Sequence, residues 1–138
     1  MPNAQAVAGI FAGLDLLSSA VILVDEALLV RYLNAGAENL FAVSRRKVLG
    51  LPLTKILGEP PGLASALESA LRNNWSYTGQ DLKVLRPDND PLNLDCTVSP
   101  VEAAGVRLIL ELRPIEEQMR VAREEQLAQQ QQANRELI

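Results

Sequence analysis

Apolar residues follow helical spacings and short runs in the first half of this chain, then settle into a period of two in the second. Val7, Ile10, Leu14 and Leu17 share one helical face, and Phe11 widens it. Such a helix either covers its own domain's core or packs on a second protomer. Residues 20–25 and 28–33 are rich in Val, Leu and Ile and predict a hairpin turning at Asp25 and Glu26. Asn34 is a good N-cap, because its side-chain oxygen can accept from a free backbone N–H one turn into a helix. Ala37, Leu40 and Phe41 then fall on one face. Ser44 can cap a further turn that ends near Gly50, a residue tolerant of positive φ, and Pro52 blocks continuation. Pro60 and Pro61 predict the next helix, with proline in its first turn. Leu63, Leu67 and Leu71 form its stripe, and Asn73 and Asn74 end it. Trp75, at the helix–strand junction, reads as a packing anchor.

In the second half Leu82 and Val84 alternate with polar neighbours, and Pro87-Asp88-Asn89-Asp90 is rich in turn formers. Leu92, Leu94, Cys96 and Val98 alternate with Asn93, Asp95, Thr97 and Ser99. Val106, Leu108, Leu110 and Leu112 do the same against Arg107, Glu111 and Arg113. These are three antiparallel strands with one buried face. Helices on one face of an antiparallel sheet give an α+β fold. Pro114 ends the last strand. Ile115 opens a polar, Gln-rich helix that would reach roughly 37 Å by residue 138. Ile115, Met119, Ala122, Gln126, Gln129 and Ala133 follow a loose heptad with a weak seam. A lone helix of that kind is marginal in water, and the sequence leaves no core for it to join. It is read as a truncated signalling helix paired in a dimer, against the alternative of a disordered tail. The expected organisation is an N-terminal helix (1–19), a globular domain (20–114) and a linker helix (115–138).

Composition narrows the chemistry. At 138 residues with 48% hydrophobic content, the chain can build one core, made mainly of Leu, Val, Ile and Ala because only five residues are aromatic. The net charge of −4 argues against nucleic-acid binding. The one basic cluster, Arg45-Arg46-Lys47, reads as a solvated helix face. A single Cys excludes an intrachain disulfide and fits a reducing, cytoplasmic setting. The apolar stretch 6–24 is interrupted by Asp15, Ser18 and Ser19 and lacks a basic start, so neither a membrane span nor a signal peptide is expected. There is no His at all, which removes Ser-His catalysis, a haem His ligand and a phosphoacceptor His, and with one Cys makes a metal site unexpected. No carboxylate pair, activated nucleophile or phosphate loop stands at usable spacing, so no catalytic residue is assigned.

Tyr32, Asn34, Ala37, Leu40, Phe41, Ser44, Lys47, Gly50, Leu53 and Leu57 together resemble the N-terminal core of PAS domains. The resemblance implies a PAS fold: a five-stranded antiparallel sheet with short helices on one face, plus the N-terminal helix and the C-terminal signalling helix. Three segments, LLSSAVILVDEALLVRYLNAGAENLFAVSRRKVLGLPL, RLILELRPIEEQMR and REEQLAQQQQANRELI, resemble the sensor end of the NtrB (GlnL) family of nitrogen-regulation histidine kinases. In that family a Glu- and Gln-rich helix leads into the phosphoacceptor His motif. The resemblance implies a regulatory and dimerisation domain of a cytosolic two-component kinase. The intact protein would phosphorylate itself on a downstream His, pass the phosphate to the response regulator NtrC, and be tuned by the PII protein. ATP would bind a domain outside this chain, so the fragment itself is not an enzyme. The alternative is a ligand- or cofactor-binding PAS sensor attached to a different output.

Two departures matter. Ala42-Val43 stands where many PAS domains have a Gly, and Pro114-Ile115-Glu116 replaces the usual Asp-x-Thr coupling motif, leaving the proline junction as the expected relay. Expected dimer and relay residues are Phe11, Leu14, Leu17, Pro114, Ile115, Met119 and Ala122. No cofactor is expected: haem would want a His, and a photoreactive flavin would want a Cys in the helix after the second strand. Cys96 instead belongs to the inward face of a late strand, as a small buried hydrophobe.

Overall fold

A computed structural model of the chain describes residues 12–17, 19–115 and 117–136. The strands are β1 (Ala20–Val24), β2 (Val30–Leu33), β3 (Tyr77–Arg86), β4 (Asp90–Ala103) and β5 (Val106–Pro114). They form one antiparallel sheet in the order β2-β1-β5-β4-β3. Between β2 and β3 lie the helices α1 (Ala35–Phe41), α2 (Arg45–Val48), α3 (Thr54–Leu57) and α4 (Leu63–Asn73). A longer helix, α5 (Glu117–Glu136), follows β5, and a 3-10 turn (Ala12–Leu16) precedes β1. This is the α+β arrangement expected from the alternation of the later strands and the helical stripes between.

The main core lies between the sheet and α1–α4. Ile22, Val24, Leu94, Cys96, Val98, Leu108, Leu110 and Leu112 come from the strands; Ala37, Phe41, Leu57, Leu63, Leu67 and Ala70 come from the helices. Register places like with like across the sheet: Ile22 opposite Leu110, Leu110 opposite Val98, and Leu112 opposite Cys96. On β4 the expected alternation holds, with Leu92, Leu94, Cys96 and Val98 buried. Strand β1 shows no alternation, and all five residues of AVILV are buried. Val21 and Leu23 join Tyr32 and Val106 in a second cluster, against which Leu14, Val101 and Ile109 pack. A strand apolar at every position needs cover on both faces.

The edge strand β2 is partly shielded. Val30 donates to Leu51 and accepts from Gly50, both at 2.8 Å, and Leu53 donates to Leu28 at 2.9 Å. Gly50 achieves this at φ +82, where a side chain would be strained. The shielded edge removes a template for unwanted strand pairing. The preceding hairpin turn is closed by buried Asp25, whose Oδ1 accepts from the Ala27 and Leu29 amides at 3.0 Å.

Local expectations are corrected at four points. The α4 prolines lie before the helix, not in its first turn, because Gly62 at φ +83 breaks the helical path between them and Leu63. Ser44 stands at the start of α2 without capping it by its side chain. The carboxylate of Glu38 accepts from the Arg45 amide instead, at 2.9 Å. Trp75 does not anchor the core: it is 67% exposed, because Asn74 turns the chain out at φ +56. Arg45 is not part of a solvated face, since its guanidinium lies 4.7 Å from the centre of the Tyr32 ring.

Asn34 is the most connected polar side chain in the core. Its Oδ1 accepts from the amides of Val21 and Ala37, each at 2.9 Å. Its Nδ2 donates to the carbonyls of Leu14 and Ser19, each at 2.8 Å. All four hydrogen-bonding positions of the amide are used, in a residue with no exposure. The predicted cap is therefore present, and three further bonds join it. Replacing Asn34 with Ala removes the cap and strands buried backbone groups. The expected cost is about 3 kcal/mol. Urea unfolding should show a lower midpoint with an unchanged slope.

Candidate functional site: the two chain junctions

The chain enters the sheet at Ala20 and leaves it at Pro114. Ala20 pairs with Leu112 across β1 and β5, so entry and exit lie side by side at one end of the sheet. Whatever is attached before β1 and after β5 departs from neighbouring points.

The entry is held by Asp15. Its Oδ2 accepts from the Tyr32 hydroxyl at 2.8 Å, and its Oδ1 accepts from the Ala35 amide and from Arg45, each at 2.9 Å. Arg45 also lies 3.6 Å from Glu38 and over the Tyr32 ring. Burial works to raise the Asp15 pKa, but the bonds from Tyr32 and Ala35 and the Arg45 charge outweigh it, so the carboxyl lies below its usual range. The clasp is charged at neutral pH, and its contribution is lost as pH falls through that lowered value.

The exit begins at Pro114, which is opposite Leu94 and exposed. Ile115 is half-buried and donates its amide to the Asn93 carbonyl at 2.9 Å. Arg123 of α5 then reaches back to β4, placing its two terminal nitrogens 3.2 and 2.9 Å from the two oxygens of Asp95. Asp95 is pulled below the usual carboxyl range chiefly by that Arg123 bond, against burial. The tail helix is thus joined to the sheet, where the sequence had left it nothing to join.

Of the expected relay residues, Leu14 packs on the second apolar cluster and Leu17 is half exposed. Pro114 and Ile115 form the exit, and Ala122 is exposed on α5. Phe11 lies outside the described residues, as does the side chain of Met119. Asp15, Arg45, Asp95 and Arg123 were not singled out as site residues. An isolated acid on an apolar stretch and one Arg among many polar residues give no pairing signal in sequence.

A surface cavity of about 630 Å³ opens between the β1–β2 turn and the α3–α4 connection, lined by Leu28, Leu53, Pro60, Leu63 and Leu67 among others. Glu59 is its one charged lining residue. Cys96 is buried, and burial pushes its thiol up to about 11, which keeps it unreactive at neutral pH. Among the described residues no cluster of three His, Cys, Asp or Glu could hold a metal, and no helix is long and apolar enough to cross a membrane.

Tyr32 offers a direct readout of the entry clasp. Burial, then the bond to Asp15, pushes its phenol up to about 12 from an ordinary 10. The folded state therefore favours the protonated phenol, a contribution complete below pH 10 and lost as pH rises from 10 to 12. In a Tyr77→Phe background, phenolate absorbance should appear near pH 12. Adding Asp15→Ala should lower that midpoint while leaving it above 10, because burial is the larger cause. A midpoint near 10 in Tyr77→Phe with Asp15 intact would contradict the clasp.

Comparison with known proteins agrees with this geometry. The PAS fold family matches residues 10–115. The sensory histidine kinase/phosphatase NtrB of Vibrio alginolyticus is 31% identical over 121 residues, covering 87% of this chain and 34% of that protein. Its counterpart in Salmonella typhimurium is 29% identical over 126 residues, covering 91% of this chain and 35% of that protein. The chain thus spans about a third of the length of these curated relatives. The crystal structure of the PAS domain of nitrogen regulation protein NR(II) from Vibrio parahaemolyticus superposes with a TM-score of 0.66 at 30% identity, covering 75% of this chain and 95% of that one. The chain therefore belongs to the PAS family and is homologous to the PAS domain of NtrB-type sensor histidine kinases.

Proposed function

We propose that this chain is the regulatory and dimerisation domain of a cytoplasmic two-component histidine kinase acting in nitrogen regulation. The observation that carries the reading is the similarity to NtrB, which runs through the sheet and both junctions. The geometry supports it. Entry and exit are adjacent, so a change in the domain can reach the segments on either side together. The chain has no His to accept phosphate, so it acts on a catalytic portion that supplies the acceptor and the ATP site. The intact protein would phosphorylate NtrC, with PII setting the balance of kinase and phosphatase activity.

A chimera tests this. When the chain replaces the matching third of Vibrio alginolyticus NtrB, the chimera should keep the parent's nitrogen-responsive phosphorylation of NtrC. A folded chimera whose phosphorylation of NtrC no longer responds overturns the proposal.

On this reading the domain pairs with a second copy and takes no small molecule, and the buried Leu, Val, Ile and Phe side chains between sheet and helices support the second part. Native mass spectrometry at high micromolar concentration should give twice the chain mass with no added ligand mass. A strict monomer would overturn the dimer. A stoichiometric bound compound would favour the ligand-sensing alternative, for which the apolar cavity beside α4 is the natural entrance.

A further inference from the structure

Strand β3 does not pair evenly with β4. Gly79 is opposite Cys96 and Leu82 is opposite Leu94, so β3 carries one extra residue between them. That is a bulge, which bends a strand and re-aims its groups. Asp81 sits in it at φ +57, backbone that Asp tolerates better than most side chains. The re-aimed Asp81 amide donates to Asp95 Oδ1 at 3.1 Å. The Oδ1 atom of Asp81 itself is buried with no hydrogen-bond partner.

Asp95 is thereby fixed before it meets α5. Its side chain is only 14% exposed, and one of its oxygens is already committed to β3. Arg123 closes on it with two nitrogens, a two-pronged geometry that fixes direction as well as distance. Both Asp95 and the neighbouring Asp81 charge favour the guanidinium there. Just ahead of the helix, the Ile115 amide is tied to Asn93. Arg123 stands about 9 Å along α5 from its first residue. A helix held at one point can swing, whereas a helix held at two has a set axis.

We propose that Asp95, braced by the β3 bulge, and Arg123 form a latch that fixes the direction in which α5 leaves the domain. The latch takes the place of a coupling contact at the strand end, where Pro114 and Ile115 supply only a pivot. Helix α4 packs against β3 and β4, so a displacement of α4 has a route through the bulge to α5. Asp95 and Arg123 are positioning residues; their effect on output rests on the function proposed above, but the latch itself does not.

Amide hydrogen exchange on the whole 138-residue chain tests the latch. In Arg123→Ala, amides in residues 117–127 should exchange about tenfold faster or more, with β1 and β5 unchanged. Asp95→Asn keeps an acceptor for the Asp81 amide while removing the charge, and should act in the same direction. Arg123→Lys, which offers a point charge and no fork, should recover part of the protection. Wild-type exchange across α5 in Arg123→Ala, with the sheet still protected, would overturn the latch. So would Arg123→Lys exchanging as fast as Arg123→Ala. Because this reads α5 in the chain alone, its failure is separable from that of the kinase chimera.

Discussion

The amide of Asn34 ties together three parts of the molecule: the entry segment, β1 and α1. It caps α1, completes the pairing of β1 at Val21, and grips the carbonyls of Leu14 and Ser19 as the chain enters the sheet. A buried amide is costly unless every donor and acceptor is met, and here each one is. That leaves a single allowed placement for the entry segment relative to β1 and α1. Asp15 then adds a charged contact to the same segment, bonding Tyr32, the Ala35 amide and Arg45. The entry is thus specified by hydrogen-bond geometry, not by burial alone.

The sheet beneath it has two unlike ends. At the β3–β4 end the strands alternate, burying one face against α4 and carrying half-buried or exposed polar residues on the other. At the β1–β2 end both faces are apolar and the 3-10 turn lends Leu14 to the outer one. The difference follows from composition: β4 alternates Leu and Cys with Asn, Asp and Thr, while β1 is apolar throughout. An outer apolar face beside the entry and a polar outer face beneath α5 give the two junctions different chemistry. The first is held by packing and a clasp, the second by an ion pair.

Both junctions nevertheless converge, because β1 and β5 are neighbours in the sheet although they stand at opposite ends of the sequence. A domain can act on what is attached to it if its attachment points are close and stiffly held. Asp15 with Arg45 and Asp95 with Arg123 supply stiffness at points where the backbone alone would leave a hinge.

Much of the fold was legible in the chain. The period-two runs of Leu92–Val98 and Val106–Leu112, the helical stripe Leu63–Leu67–Leu71 and the cap at Asn34 follow from local rules, which depend on neighbours a few residues away. Family resemblance was equally local, resting on residues 20–57 and the final helix. The sequence could not reveal that Trp75 faces solvent, since a single left-handed residue at Asn74 decides it. Nor could it pair Asp15 with Arg45, or Asp95 with Arg123, contacts that span 30 and 28 residues. Local patterns in the chain account for the five strands, the helical stripe of α4 and the lack of histidine chemistry, whereas before β1 they predict a helix and the described part is a 3-10 turn. Which charges meet depends on strand order and on a one-residue bulge, and neither leaves a periodic mark on the chain.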